Sequence, residues 1–196
     1  MKICFLGQQS WLVSGETTHI LVDPVLTETF GTSSKIRFRI YPPRVIHVEQ
    51  MPDITAVFLT NEHLDHFHLP SIKRLKRSTK IYIGSLMPYC AREAIERMGF
   101  QVVSLNDKEP IIIGDINVIM YKGGNKDPFW EKRVYQLYCR DQNHLDMGGI
   151  YIQSDTLLSD SFSSHVNNNI VPSPDVFICT NNAQIGPSGV LVAFDN

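Results

Sequence analysis

The feature that most constrains this chain is the run Ile54–Leu59, apolar at every position except Thr55. A strand with one face in water alternates apolar and polar side chains, so a continuous apolar run predicts a strand buried on both faces. Such a strand needs neighbours on each side and covering layers above and below. The remaining sequence supplies them as short elements in dense alternation, without repeats or low-complexity segments. Ile3–Leu6, Trp11–Val13 and His19–Val22 read as strands, the last two joined by the turn-like Ser14-Gly15-Glu16, so the chain opens as an antiparallel meander. Leu69–Leu75 reads as a helix, Lys80–Ile83 as a strand and Pro88–Met98 as a helix stopped by Gly99. Gln101–Leu105, Ile111–Ile113, Asn117–Tyr121, Arg133–Cys139, Gly149–Gln153 and Asp175–Cys179 read as further strands. Strands outnumber helices, yet helices recur between them. This predicts an α/β protein with sheets covered by helices rather than an all-β sandwich.

Size and charge narrow the reading. With 196 residues, 43% apolar and 19% charged, the chain can bury one good core, and residues 1–196 are expected to form a single domain. A net charge of −2 and a pI near 6.4 give no global reason to expect nucleic acid or an anionic membrane surface. No segment approaches the roughly 18 apolar residues of a membrane span, and Met1-Lys2 leads into a strand without a secretory pattern, so a cytoplasmic protein is expected. Cys4, Cys90, Cys139 and Cys179 are scattered without paired spacing. They read as free thiols serving as small buried apolar residues.

Chemistry concentrates in "LTNEHLDHFHLP", Leu59–Pro70, directly after the apolar run. A loop leaving the C-terminal end of a buried strand is where α/β folds gather ligand-binding side chains, because the scaffold is rigid and the loop is free to aim them. His63, Asp65 and His66 bring two imidazoles and a carboxylate into four residues, a donor set suited to zinc, iron or manganese. The competing reading is a polar loop whose histidines cap the helix beginning at Leu69, and His68 is expected to be a surface or capping residue. Elsewhere, "KIRFRIYPPR" places Lys35, Arg37, Arg39 and Arg44 among Phe38 and Tyr41. They read either as a cationic rim for a phosphate or carboxylate or as an exposed edge strand with its charges in water. The cations of "KRLKR", Lys73–Arg77, suit the end of a short helix.

"LTNEHLDH" resembles the HxHxDH loop of the metallo-β-lactamase superfamily, with Asn61 in the first histidine position and His63, Asp65 and His66 matching the rest. "GQQSWLVSGETTHILVDPVL" is similar to that fold's opening hairpin, ending in its aspartate, here Asp23. "YPPRVIHVEQMPDITAVFLTNEHLDH" is similar to the approach to the motif in the branch containing L-ascorbate 6-phosphate lactonase and N-acylphosphatidylethanolamine phospholipase D. "GIYIQSDTLLS" resembles the strand and turn of the family's bridging aspartate, here Asp155, with Ser154 where glycine is usual. The resemblance implies a four-layer αβ/βα sandwich with a metal site at one edge. It also implies hydrolysis of an ester, lactone or phosphodiester in a small-molecule or lipid-like substrate, through water acidified by the metal.

The same resemblance implies a depleted site. Its first metal would have Asn61 and His63, while "KGGNKDPF" holds no histidine at the expected point. The second keeps Asp65, His66 and Asp155, but its last histidine would fall beyond Asn196, so either the chain ends early, truncated at its C-terminus relative to the family, or this sequence is an incomplete product. His144 and His165 are weak substitutes. The implied ligands are therefore His63, Asp65, His66 and Asp155 around a divalent metal, zinc foremost, with iron or manganese as alternatives. Asp65 and Asn61 are the catalytic candidates, Asn61 through its amide on substrate or water, and Asp23 would accept hydrogen bonds that brace the loop. Three functions stand: a metal-dependent hydrolase with a depleted, mononuclear site; a catalytically inactive relative acting as a binding or assembly module without metal; and an iron-dependent oxidoreductase on the same fold.

Overall fold

A computed structural model describes residues 1–31, 33, 35–124 and 133–179, together with the backbone of 184–185 and 191–192. Two sheets face each other. The first holds β1 (Lys2–Gly7), β2 (Ser10–Ser14) and β3 (His19–Val22) as the expected antiparallel meander. Two short strands follow, β4 (Thr29–Gly31) and β5 (Arg37–Arg39), paired with each other as a separate hairpin. The buried run forms β6 (Ala56–Leu59), which lies parallel between β3 and β7 (Lys80–Gly84). All four β6 residues are buried, whereas Ile54 is half-buried and Thr55 exposed, so the strand starts two residues later than its apolar run. The parallel crossovers carry α1 (Leu69–Ile72) and α2 (Tyr89–Arg97), and β8 (Val102–Leu105) closes the sheet beyond β7. The helix expected over Leu69–Leu75 thus ends at Ile72, before the Lys73–Arg77 cations. Arg74 instead donates to the Leu26 carbonyl at 2.6 Å, and Arg77 lies over the Phe100 ring.

The second sheet runs through β9 (Pro110–Ile113), β10 (Ile116–Lys122), β11 (Tyr135–Asp141) and β12 (Ile150–Ile152), each antiparallel to the next. β13 (Val176–Ile178) then pairs parallel to β12 through α3 (Asp160–Asn167). The inner faces share one core, in which Val22, Phe58 and Tyr82 of the first sheet meet Val118, Met120 and Leu137 of the second. Behind the first sheet, Ile72 of α1 and Ala91 and Ile95 of α2 cover Leu21, Val57 and Ile81. Behind the second, Phe162 of α3 packs on Tyr121, Tyr138 and Tyr151. Helix, sheet, sheet and helix are the four layers that the sequence implies.

α3 was not legible as a helix. Its start is set by Ser159, whose hydroxyl accepts from the Phe162 amide, and its burial by an aromatic cluster assembled from three strands. Three thiols also depart from expectation: Cys4, Cys90 and Cys179 are exposed and only Cys139 is buried, where loss of hydration pushes its pKa up to about 12. Cys4 falls on the outer strand of its sheet and Cys90 in the first turn of α2, positions left exposed among the described residues.

At the end of the sandwich away from the buried strand's C-terminus, Asp115 joins the two sheets. From the β9–β10 turn, its Oδ2 accepts from the Glu16 and Thr17 amides of the β2–β3 turn at 2.5 and 3.2 Å, and its own amide donates to Thr18 Oγ1. Burial works against the charge, but the hydrogen bonds from Thr18 and the Glu16 and Thr17 amides prevail and hold the carboxyl at about 2. No helix among the described residues is long and apolar enough to cross a membrane.

Candidate metal centre

The parallel pairing of β3 and β6 brings their C-terminal ends side by side, so Asp23 and Thr60 are neighbours. Asp23 Oδ1 accepts the Thr60 amide at 2.8 Å and Oδ2 the Thr60 hydroxyl at 2.6 Å. This fixes the root of the loop that follows. His66 is fully buried, with Nδ1 2.7 Å from Asp23 Oδ2 and Nε2 2.6 Å from Asp155 Oδ2. Burial opposes the imidazolium, but the Asp23 and Asp155 carboxylates outweigh it and hold the His66 pKa well above its ordinary value. For Asp155 burial pushes upward, yet the hydrogen bond from His66 and the charges of His66 and His63 keep its carboxyl below the usual range.

Asp155 reaches this point from the second sheet. β12 ends at Ile152, and Ser154 then turns the chain with φ +58°, a left-handed backbone that favours glycine. Its hydroxyl lies 2.8 Å from Thr60 Oγ1, a contact that helps hold the strained turn against the loop. The Tyr135 amide donates to the Thr60 carbonyl at 2.9 Å and joins the sheets at the same place.

Of the expected residues, Asp65, His66 and Asp155 converge: one donor atom from each lies within 4.8 Å of the others. His66 Nε2 to Asp65 Oδ2 is 3.8 Å. His63 is exposed and stands outside this group, though near enough for its charge to act on Asp155. Asn61 is buried. Its Oδ1 accepts the His63 amide at 2.9 Å and its Nδ2 lies 3.2 Å from Thr60 Oγ1, so its amide shapes the loop. His68 occupies the N-cap position of α1 but is buried, not on the surface, and its Nδ1 bonds the Ser71 hydroxyl at 2.7 Å instead of capping an amide.

The two substitute histidines do not reach the site. His144 follows the Asp141 end of β11, whereas the Tyr135 end adjoins Thr60. Seven residues of strand, about 20 Å, separate the two ends. His165 lies on α3, where its Nδ1 meets the Tyr121 hydroxyl at 3.0 Å. Arg44 also departs from the rim expectation, because its guanidinium donates to the carbonyls of Leu6, Thr27 and Val25 and is consumed inside the fold. Residues 125–132 and 180–183, which include most of "KGGNKDPF" and the chain after β13, lie outside the described residues.

Two contacts were not anticipated. Gln8 Nε2 donates to Asp65 Oδ2 at 3.2 Å, and Gln9 Nε2 to Asp155 Oδ1 at 3.1 Å. The β1–β2 turn therefore grips both carboxylates from outside, with Gln8 at φ +54°. Adjacent glutamines in a turn are the only local signal, and it does not reveal partners 57 and 146 residues away.

This donor set fits a divalent cation. Two carboxylates and an imidazole are ligands that zinc, iron and manganese accept; donors about 2 Å from one ion stand roughly 3–4 Å apart, so the 2.6 Å hydrogen bond between His66 Nε2 and Asp155 would give up its proton and open as an ion entered. Asp23 fixes the His66 ring through its other nitrogen, as outer carboxylates do for metal-bound histidines.

Residues 18–150 match the model of a family described as "Beta-lactamase superfamily domain". The chain belongs to the metallo-β-lactamase superfamily. No curated protein matches the sequence. Among solved structures, the chain resembles isothiocyanate hydrolase from Delia radicum gut bacteria, with 18% identity and a TM-score of 0.66 over 98% of this chain and 76% of that one. It also resembles a possible metal-dependent hydrolase from Veillonella parvula DSM 2008, with 18% identity and a TM-score of 0.62 over 97% and 73%. CmlA, a diiron β-hydroxylase from Streptomyces venezuelae, gives 19% and 0.61 over 87% of this chain but only 33% of its own length. At such identities the likeness is one of fold.

Proposed function

We propose that this superfamily member is a metal-dependent hydrolase with a mononuclear site formed by Asp65, His66 and Asp155. The observation that carries the reading is their convergence on one point, with His66 aimed by Asp23. When bound, a divalent ion, zinc foremost and iron or manganese by the same donors, acidifies water and polarises the oxygen of the bond to be cut. The chain's own part is to present Asp155 and Asp65 as anions and His66 through Nε2, while Asp23 keeps the Nδ1 proton. Asp65, only partly buried, is placed to accept a proton from the attacking water. His63 stands at the rim as a further donor. Asn61 keeps the loop in shape. An ester, lactone or phosphodiester substrate agrees with the lactonase and phospholipase branch that the sequence resembles, and two structural neighbours are named as hydrolases.

One observation favours a second reading. Carboxylate-rich sets also suit iron, and the diiron hydroxylase shares the fold. Elemental analysis of protein purified without chelators separates the readings. One equivalent of metal with turnover of ester or phosphodiester substrates is expected, and Asp65→Ala should abolish the binding. Iron with oxygen-dependent turnover would favour the oxidoreductase. No metal at saturating zinc, iron and manganese would leave a non-catalytic relative.

A further inference from the structure

Arg37 and Arg39, which the metal centre does not use, lie on the same face of β5, because alternate residues of a strand point the same way. Both line a cavity of about 580 Å³ together with Arg74, Thr27 and Thr29. Arg74 gives one nitrogen to the Leu26 carbonyl, but among the described residues no hydrogen bond or ion pair engages the side chains of Arg37 or Arg39. Negative charge nearby comes from Glu28, which lines the cavity, and from Glu49, whose carboxyl feels Arg74. Three guanidiniums against one lining carboxylate leave the cavity cationic. Phe38 packs against Phe30 with the rings tilted, and Gly31 faces Arg37 where a Cβ would come within 2.4 Å of the Ile36 carbonyl oxygen, so the hairpin is held in shape without help from its arginines.

A second cavity, of about 340 Å³, shares Thr27, Thr29 and Arg37 with the first and extends to His68 and Pro70, just beyond the metal loop. We propose that the Arg37–Arg39–Arg74 cavity is an anion subsite that takes a phosphoryl group. Guanidinium forks match its oxygens in pairs. The second cavity shares lining residues with that subsite and is also lined by His68 and Pro70, which follow the metal loop in the chain, so the hydrolase would act on phosphorylated substrates held at a distance from the scissile bond. This deepens the hydrolase reading and rests on it for what the phosphoryl group is attached to. Anion binding itself does not rest on it.

The test titrates inorganic phosphate into metal-loaded protein by calorimetry and measures co-sedimentation with phosphatidylcholine vesicles, with and without phosphatidic acid. Arg37→Ala/Arg39→Ala should weaken phosphate binding roughly tenfold or more, with metal content and melting temperature unchanged. Glu28→Gln should tighten it severalfold. Binding only to phosphatidic acid vesicles, lost in the arginine variant, would also support the subsite and make the source a lipid headgroup. Phosphate binding that survives the double arginine variant overturns the proposal. So does binding that disappears in Asp65→Ala alone, which places the anion at the metal loop, and so does binding to neither probe. Should the protein hold no metal, the hydrolase reading fails while the phosphate result still decides the subsite.

Discussion

The metal loop and the β4–β5 hairpin leave the same edge of the first sheet, one after β6 and the other after β3, yet they treat charge in opposite ways. In the loop every ionisable group that converges is answered: His66 by Asp23 and Asp155, and the carboxylates of Asp65 and Asp155 by Gln8 and Gln9. On the hairpin, Arg37 and Arg39 line an open cavity, and among the described residues no hydrogen bond or ion pair engages their side chains. Buried charges must be paired to be tolerated, whereas exposed ones stay hydrated at no cost and are left for something else to meet. The loop is arranged before any ligand arrives; the hairpin awaits one.

The largest effect expected from breaking this contrast is at His66. His66→Ala strips the cation from between two carboxylates and should destabilise the metal-free protein by about 3–5 kcal/mol, as read by urea denaturation. A cost near zero would mean that the carboxylates take up protons instead. Next comes a comparison between arginines. Arg44→Ala orphans three carbonyls and should cost about 2 kcal/mol, whereas Arg37→Ala should stay within about 0.5 kcal/mol. Equal losses would erase the distinction between an arginine used inside the fold and one held ready.

Gln8→Ala/Gln9→Ala should leave stability nearly intact but lower metal affinity about tenfold in chelator competition. Unchanged affinity would show that the carboxylates need no grip from the β1–β2 turn. The smallest effect concerns Asp115, a carboxylate answered by peptide amides far from the metal. Its folded value of about 2 lies below the unfolded value near 3.9. The stabilisation is therefore present above about pH 4 and lost as pH falls toward 2. Asp115→Asn should remove about 1 kcal/mol and flatten that acid limb in thermal melts, equally with and without metal. A metal-dependent change would tie the two ends of the sandwich together.

Much of this was legible because the signals were local. The apolar run of β6 marked a central strand, the polar cluster behind it marked the site, and the Asp23 and Asp155 segments carried enough pattern to be matched across the chain. What stayed hidden depended on distant partners. The glutamine turn, the engagement of Arg44 with three carbonyls and the aromatic bed of α3 exist only after separate strands have met. His144 was a weak candidate from the start, because proximity in sequence to Asp155 says nothing about which end of β11 it occupies. The part Asn61 plays in the loop was hidden for a related reason: its place in the motif suggested chemistry, and only the folded loop shows its amide oxygen accepting from His63.

A last consequence follows from the Thr60 hydroxyl. It gives its single proton to Asp23, and Asn61 Nδ2, Ser154 Oγ and His66 Nδ1, the last at 3.2 Å, crowd around its two lone pairs, so the oxygen is saturated. Valine would reproduce the outline of this side chain but remove the oxygen on which these contacts converge, while serine would restore the oxygen but free the rotor that the β-branch locks. Position 60 thus admits neither a mimic of shape nor a mimic of chemistry without loss, although nothing in its sequence context marks it.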